Sequence, residues 1–177
     1  MEEQMITTNN AMENTRPWLR FWARNFDILL HTMIIGILWF LLHEESISSI
    51  PNLFASVIVS FIYVFIEWFY MVIFGTTPGK KILGIKVRTN DGMKLTKEVA
   101  LKRALLVWFK GIGVGAGIIQ MIANIKGYQN LTRDNITTWD RDLEILVTHQ
   151  RIGLIRLLIC PVIVIGLTSF LLWGIYS

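Results

Sequence analysis

The chain has 177 residues, of which 53% are hydrophobic and 17% are charged, and its net charge is +4. This composition excludes an ordinary soluble domain, because the apolar residues also come in long blocks. The basic residues flank these blocks, so the positive charge indicates orientation in a membrane rather than nucleic-acid binding. The single cysteine, Cys160, excludes a disulfide framework and a thiolate zinc site.

The first half of the sequence predicts a tail and two membrane spans. Residues 1–15 are polar and acidic, lack the apolar core of a signal peptide, and are expected to form a disordered tail. Residues 21–42 and residues 53–74 are each long and apolar enough to cross a bilayer. Basic residues precede the first span and follow the second. This bias predicts a cytoplasmic N-terminus, a short outside loop, and a return to the cytoplasm at residue 75.

Ionisable side chains follow one face of the first span at helical spacing, and they are Arg20, Arg24, Asp27 and His31. A charged group inside a membrane costs about 2.5–3.5 kcal/mol unless it meets a partner or water. Glu67 lies on a similar polar stripe of the second span, and antiparallel packing would bring it level with Asp27. Three interpretations stay open: a structural polar clasp, a site for protons or cations, or a Glu67 that reaches the membrane surface.

Residues 75–96 predict a break in the membrane segments and a cytoplasmic β element. Helix breaking is indicated by Gly75, Pro78 and Gly79. Residues 82–89 then predict a strand, and the turn at residues 90–92 predicts a hairpin. A second β-rich run at residues 144–148 can pair with the first strand to form a small sheet.

The segment of residues 97–125 predicts an amphipathic or re-entrant helical hairpin on the cytoplasmic side. Thr96 is expected to cap a helix that runs to about residue 111. Its polar face carries a basic patch for anionic lipid headgroups, composed of Lys102, Arg103 and Lys110. The apolar stretch that follows is too short for the ~30 Å hydrocarbon core, although a full crossing stays open as the alternative. Residues 157–176 predict a final span.

Together these elements predict an all-α membrane protein with about three transmembrane helices, the helical hairpin and a small cytoplasmic β element. The predicted organisation is a tail at residues 1–15, a membrane domain at residues 16–148 and a C-terminal transmembrane helix at residues 149–177. The bilayer is therefore the first expected partner.

Two motifs in this sequence resemble those of the RDD family of small bacterial membrane proteins. The first is RFWARNFD at residues 20–27, and the second is GTTPGKKILGIKV at residues 75–87. A third match is Trp139-Asp140-Arg141, where the family has a His-Asp pair and a basic residue. The resemblance implies that Arg20, Asp27 and Asp140 are the residues for which the family is named.

The resemblance also implies that the family's central loop comprises Gly75, Pro78, Gly79 and Lys80. It implies a bacterial inner (plasma) membrane protein. Some members of the family have been proposed to exchange sodium or similar cations for protons, whereas others have no assigned role.

Two hypotheses for function follow. In the first, Asp27 or Glu67 exchanges a cation for a proton, with Arg20 or Arg24 tuning the carboxylate and His31 relaying protons. Three spans cannot enclose an alternating-access path alone, so this hypothesis requires a homo-oligomer. The candidate ion site, or buried polar cluster, comprises Arg20, Arg24, Asp27, His31, Glu67 and Asp140.

In the second hypothesis the protein is a non-catalytic membrane module that binds a membrane partner protein or anionic lipid. Arg20 and Asp27 would then form a buried structural pair. Enzyme motifs such as HExxH and GxSxG are absent from the sequence, so we expect no catalytic residues, no cofactor and no metal site.

Overall fold

The computed structural model describes residues 16–42 and 51–176. The predicted tail at residues 1–15 and the predicted outside loop at residues 43–50 lie outside the described residues. The described part contains seven α-helices and one two-stranded sheet. This architecture confirms the predicted fold class, all-α with a small β element.

Three long helices form the framework, namely α1 (Pro17–Leu42), α2 (Asn52–Ile73) and α7 (Leu154–Tyr176). By length and composition α1 and α2 suffice to cross a bilayer, and the described apolar part of α7 is Leu154–Ser169. Large apolar side chains on them stay exposed, for example Leu42 at 73% and Phe54 at 63%. A surface of this kind suits contact with lipid tails, because it buries apolar area without a protein partner.

Short elements connect the long helices: α3 (Pro78–Ile82), β1 (Ile85–Thr89), α4 (Lys97–Leu106), α5 (Gly117–Asp134), α6 (Thr138–Asp142) and β2 (Ile145–His149). Strands β1 and β2 pair antiparallel, with Val87 opposite Val147. The predicted strand pair therefore forms, although β1 begins at residue 85 rather than 82. The reason is that Pro78 starts a helical turn, and Gly84 ends it with a φ of +65°.

The predicted helix at residues 97–111 forms, but its last turn is distorted. The Thr96 hydroxyl caps α4 by accepting a hydrogen bond from the Val99 N–H at 3.4 Å. Beyond α4 the backbone forms a π-helical turn at Val107–Gly111 and a 3₁₀ turn at Gly113–Gly115. Helix α5 then runs to residue 134, nine residues past the predicted end of the hairpin at 125.

Serine hydroxyls of α2 hold this break in place. Ser56 Oγ donates a hydrogen bond to the Gly115 carbonyl at 2.6 Å, and Ser60 Oγ donates to the Val114 carbonyl at 3.1 Å. Carbonyl groups that the irregular turns leave free are thereby satisfied. The break therefore packs against the N-terminal half of α2.

The buried core joins the short elements to the N-terminal end of α1 and the C-terminal end of α2. One cluster packs Ala23 and Phe26 of α1 against Leu83 and Ile85. Another packs Met71 of α2 against the sheet and α4, through Val87, Leu95, Ala100 and Ile145. The sheet and the short helices thus form a layer over these two helix ends, and the polar residues lie between them.

Candidate functional site

A continuous set of buried ion pairs links five helices. Arg103 bridges two carboxylates, because its Nη1 donates to Glu67 Oε1 at 3.1 Å and its Nε donates to Asp140 Oδ1 at 2.9 Å. Lys80 Nζ donates to Glu67 Oε1 at 2.7 Å. Arg20 Nη1 donates to Asp140 Oδ2 at 3.4 Å. We call this set the ion-pair network, and its members are Lys80, Glu67, Arg103, Asp140 and Arg20.

The network lies away from solvent, since no side chain in it is more than 13% exposed. Burial raises the pKa of the Asp140 carboxyl, but Arg103 and Arg20 outweigh burial and hold that pKa below its usual range. Burial also lowers the pKa of the Arg103 guanidinium, but Asp140 and Glu67 outweigh it and raise that pKa. The Thr137 hydroxyl donates a further hydrogen bond to Asp140 at 2.7 Å. Asp140 and Arg103 are therefore charged together at neutral pH.

Asp27 lies near the network but is held differently. It is fully buried, and its carboxylate accepts hydrogen bonds from the Gly79 N–H at 2.6 Å and from the Thr77 hydroxyl. Within the described residues no cationic side chain lies at ion-pair distance from it. The predicted Arg20–Asp27 pair is therefore wrong: Arg20 pairs with Asp140, which α6 brings to the same end of α1.

Gly79 approaches α1 closely enough to exclude a side chain. A Cβ at this position would lie 2.5 Å from the Ala23 carbonyl oxygen and 3.0 Å from Asp27 Oδ1. The loop at residues 75–80 thus brings three kinds of contact to the site: the Gly79 N–H, the Thr77 hydroxyl and the Lys80 ammonium.

Two residues of the predicted cluster make other contacts. His31 Nδ1 lies 2.6 Å from the Asp27 carbonyl oxygen; this nitrogen carries the proton, because a carbonyl oxygen only accepts. The His31 ring also contacts Tyr63 and Tyr70, at centroid distances of 5.6 and 5.5 Å. Arg24 places its guanidinium 5.1 Å from the centroid of the Trp139 ring, a cation–π contact.

The prediction that Arg103 faces lipid is wrong. Arg103 is 4% exposed, and the buried stripe of α4 also includes Ala100 and Ala104. Ala100 and Val107 lie three positions before and four positions after Arg103 and are both buried, so helical spacing places Arg103 on the buried face and not on the polar face. Of the other predicted patch residues, Lys102 is exposed, and Lys110 pairs with Asp142 at 3.0 Å on the surface.

Sequence reasoning missed Thr77, Thr137, Trp139 and the ion pair of Lys80. An internal repeat is the signal that could have found them. Residues 77–87 (TPGKKILGIKV) and residues 137–147 (TTWDRDLEILV) share Thr, Leu, Ile and Val at equivalent positions. Each segment forms a five-residue helix and then a strand. The repeat places Lys80 and Asp140 at equivalent positions, so each copy delivers one charge of opposite sign to the network.

His149 is a half-buried histidine at the end of β2, and both its ring nitrogens are buried and lack a hydrogen-bond partner in the described structure. Burial, followed by the charges of Arg20 and Arg16, lowers its pKa from 6.5 to about 4. The unfolded chain therefore binds a proton at His149 below about pH 6.5, whereas the folded chain does so only near pH 4. The contribution of His149 to the free energy of unfolding is therefore fully present above about pH 6.5, and it is lost as the pH falls from there to about 4.

We expect the unfolding temperature of the wild type to fall more between about pH 7 and about pH 4.5 than that of His149→Gln, since glutamine does not titrate. Thermal unfolding in detergent at several pH values measures the difference. An equal fall of the unfolding temperature with pH in the two proteins would contradict this role of His149.

The comparisons with known proteins give one match. The RDD family model matches residues 15–175 of this chain. The matched range contains the whole ion-pair network, Asp27 and both copies of the internal repeat. No curated protein and no solved structure matches the chain.

Proposed function

Because this chain belongs to the RDD family and contains helices able to cross a bilayer, we propose that it is an integral membrane protein that exchanges sodium or a similar cation for protons at Asp27. The bias of basic residues supports a bacterial inner-membrane location with the N-terminus in the cytoplasm. The same bias supports the proposal that α7 is a third crossing.

The observation that carries the proposal is the difference between Asp27 and the other two buried carboxylates. Glu67 contacts two cations, and Asp140 also contacts two. Cations at this distance oppose both the binding of a proton and the binding of a metal cation. Among the described residues, the Asp27 carboxylate accepts hydrogen bonds only from the neutral donors Thr77 and Gly79. It is therefore the carboxylate best able to alternate between a proton and a cation.

A cavity beside the break between α4 and α5 supports passage of an ion. Its volume is about 290 Å³, and hydroxyl groups of Thr32, Ser56, Ser60 and Tyr63 belong to its lining residues. Irregular backbone at membrane depth is tolerated where it lines such a cavity, and transporters use broken helices to bind ions. No group of three His, Cys, Asp or Glu side chains suited to a metal occurs in the described residues, so neutral oxygens would complete the coordination of the cation beside Asp27.

The proposal includes assembly into a homo-oligomer. A bundle this small cannot by itself open alternately to the two sides of a membrane. Packing of several copies would cover the exposed apolar faces of α1 and α2. The neighbouring copies would then complete the walls of the path that the exchanged ions follow.

We expect Asp27→Asn to abolish exchange while preserving the fold, since asparagine has nearly the same shape but cannot ionise. The measurement is sodium uptake driven by a pH gradient into liposomes that contain the purified protein. The matched control is Asp142→Asn, because Asp142 is a surface carboxylate that pairs with Lys110. Uptake should fall to the level of protein-free liposomes in Asp27→Asn and stay at the wild-type level in the control. Equal uptake by all three proteins would remove Asp27 from the mechanism.

A second candidate function is the non-catalytic module that binds anionic lipid or a membrane partner. The ion pairs that Glu67 and Asp140 each form with two cations favour this function. Removing one partner from a buried ion pair is strongly destabilising, so such pairs are suited to holding a structure together. Under this function the wild type and both variants transport no sodium. Asp27→Asn then lowers the unfolding temperature and has no effect on uptake. The same liposome experiment therefore separates the two functions.

A further inference from the structure

A cleft beside the ion-pair network carries an inference that is independent of cation exchange. It lies between the first two turns of α1 and the middle of α5, and α6 closes one side. Its volume is about 40 Å³, and Arg20, Arg24, Tyr128 and Trp139 are among its lining residues. A cavity needs roughly 10–15 Å³ to hold one water molecule, so the cleft has room for a group larger than water. We call it the arginine cleft.

Polar donors of the lining residues remain unused. Arg20 Nε and Trp139 Nε1 are buried and have no hydrogen-bond partner in the described structure, and Trp139 is only 2% exposed. Arg24 contacts the face of the Trp139 ring, but no carboxylate among the described residues lies within 4 Å of its guanidinium. Buried donors without an acceptor are rare in folded proteins. These three groups therefore indicate an acceptor that the chain itself does not supply.

The balance of charge indicates that this acceptor is an anion. The network and its surroundings contain four cations, Arg20, Arg24, Lys80 and Arg103, none of them in an exposed position, against three buried carboxylates, Asp27, Glu67 and Asp140. At least one positive charge is thus unbalanced, whether or not a proton or cation neutralises Asp27, and Arg24 is the member of these four that has no ion pair in the described structure. An anion in the arginine cleft would compensate this charge, which water cannot do.

We infer that the arginine cleft binds one phosphate group, either from the headgroup of an anionic lipid or from inorganic phosphate. Guanidinium groups present planar forks of N–H donors that match the oxygens of phosphate. The Trp139 N–H is a further donor from a lining residue.

The position of the cleft fits the level of lipid headgroups. Tyr128 lines it and is 39% exposed, and the Trp18 ring, which is 59% exposed, contacts the Tyr128 ring at a centroid distance of 5.9 Å. Trp and Tyr are enriched where a membrane meets water. The site is distinct from the surface lysines Lys102 and Lys110, which lie on the face of α4 and the turn after it.

Two binding measurements test the inference and separate the two sources of phosphate. Equilibrium dialysis of radiolabelled inorganic phosphate uses protein in nanodiscs of phosphatidylcholine alone. Native mass spectrometry counts phosphatidylglycerol molecules retained by the detergent-solubilised protein, with phosphatidylcholine as the neutral reference. We expect one saturable phosphate group per chain in at least one of the two measurements. Binding in the first alone identifies free phosphate, and binding in the second alone identifies a lipid headgroup.

Arg24→Gln should weaken this binding by about 10–100-fold, the loss expected for a hydrogen bond to a charged group. Trp139→Phe keeps the ring but removes the N–H, and should weaken binding by about 2–10-fold. Arg133→Gln is the matched control, since it removes an arginine of α5 that is 78% exposed and lies outside the cleft, and it should leave affinity unchanged. Absence of saturable binding to the wild type would overturn the inference. So would equal affinity of folded Arg24→Gln or Trp139→Phe and the wild type.

Discussion

Replacing Arg103 by methionine is expected to cause the largest loss of stability of any single substitution in the ion-pair network. Arg103 is the bridge between Glu67 and Asp140, and its side chain is 5% exposed. Removal of one partner from a buried ion pair costs about 3–5 kcal/mol, because the remaining charge is left uncompensated. For a chain of this size the unfolding temperature should fall by roughly 6–20 °C. Thermal unfolding of the detergent-solubilised protein measures this.

The neighbouring Lys102→Met is the control, because it removes an equal charge from the exposed face of the same helix. It should change stability by no more than about 0.5 kcal/mol. A double variant, Arg103→Met with Asp140→Asn, should cost less than the sum of the two single changes, since both residues belong to one interaction. Equal stability of Arg103→Met and Lys102→Met would show that the buried bridge contributes nothing.

Gly79→Ala is expected to disrupt the contact between α1 and α3. The added methyl group would lie 2.5 Å from the Ala23 carbonyl oxygen, which is backbone of α1 and cannot rotate away. Forcing extra volume into a packed site costs about 1–3 kcal/mol. The displacement also pulls the Gly79 N–H away from Asp27, a bond of 2.6 Å. Chemical denaturation in mixed micelles should therefore show a clear loss of stability.

Gly36→Ala provides the comparison, because Gly36 is also within a described helix but nothing lies within 4 Å of an added Cβ there. Alanine favours a helix over glycine by about 0.8–1.0 kcal/mol, so this variant should equal or exceed the wild type in stability. If Gly79→Ala behaved like Gly36→Ala, the close approach of α3 to α1 would be refuted.

The elements of the fold were largely predictable because each follows from local chemistry. Long apolar runs gave the helices α1 and α2, and the alternating β-branched runs gave β1 and β2. The break after α4 was only partly predictable. Its turns depend on the hydroxyls of Ser56 and Ser60, which come from a distant part of the sequence.

The partners of the charged residues were less predictable, since helical spacing reveals which residues share a face but not what that face meets. Arg103 illustrates the difficulty, because a basic residue on an amphipathic helix is usually exposed. Its burial is stable because Glu67 and Asp140 together compensate the cost of removing its charge from water. Asp27 illustrates the converse. Its partners are a backbone N–H and a hydroxyl, and neither group gives a charge pattern in the sequence.

The ion-pair network is completed late during synthesis of the chain, because its members are far apart in the sequence. The ribosome delivers Arg20 and Glu67 with the first two long helices, whereas Asp140 is translated much later. At about 5–20 residues per second the wait from Glu67 to Asp140 lasts roughly 4–15 s. During this interval Arg20 and Glu67 are present without the complete set of partners that they have in the finished network. A chain that ends before α6 would lack Asp140 and would leave Arg20 without its ion-pair partner, so we expect it to be less stable than the full chain.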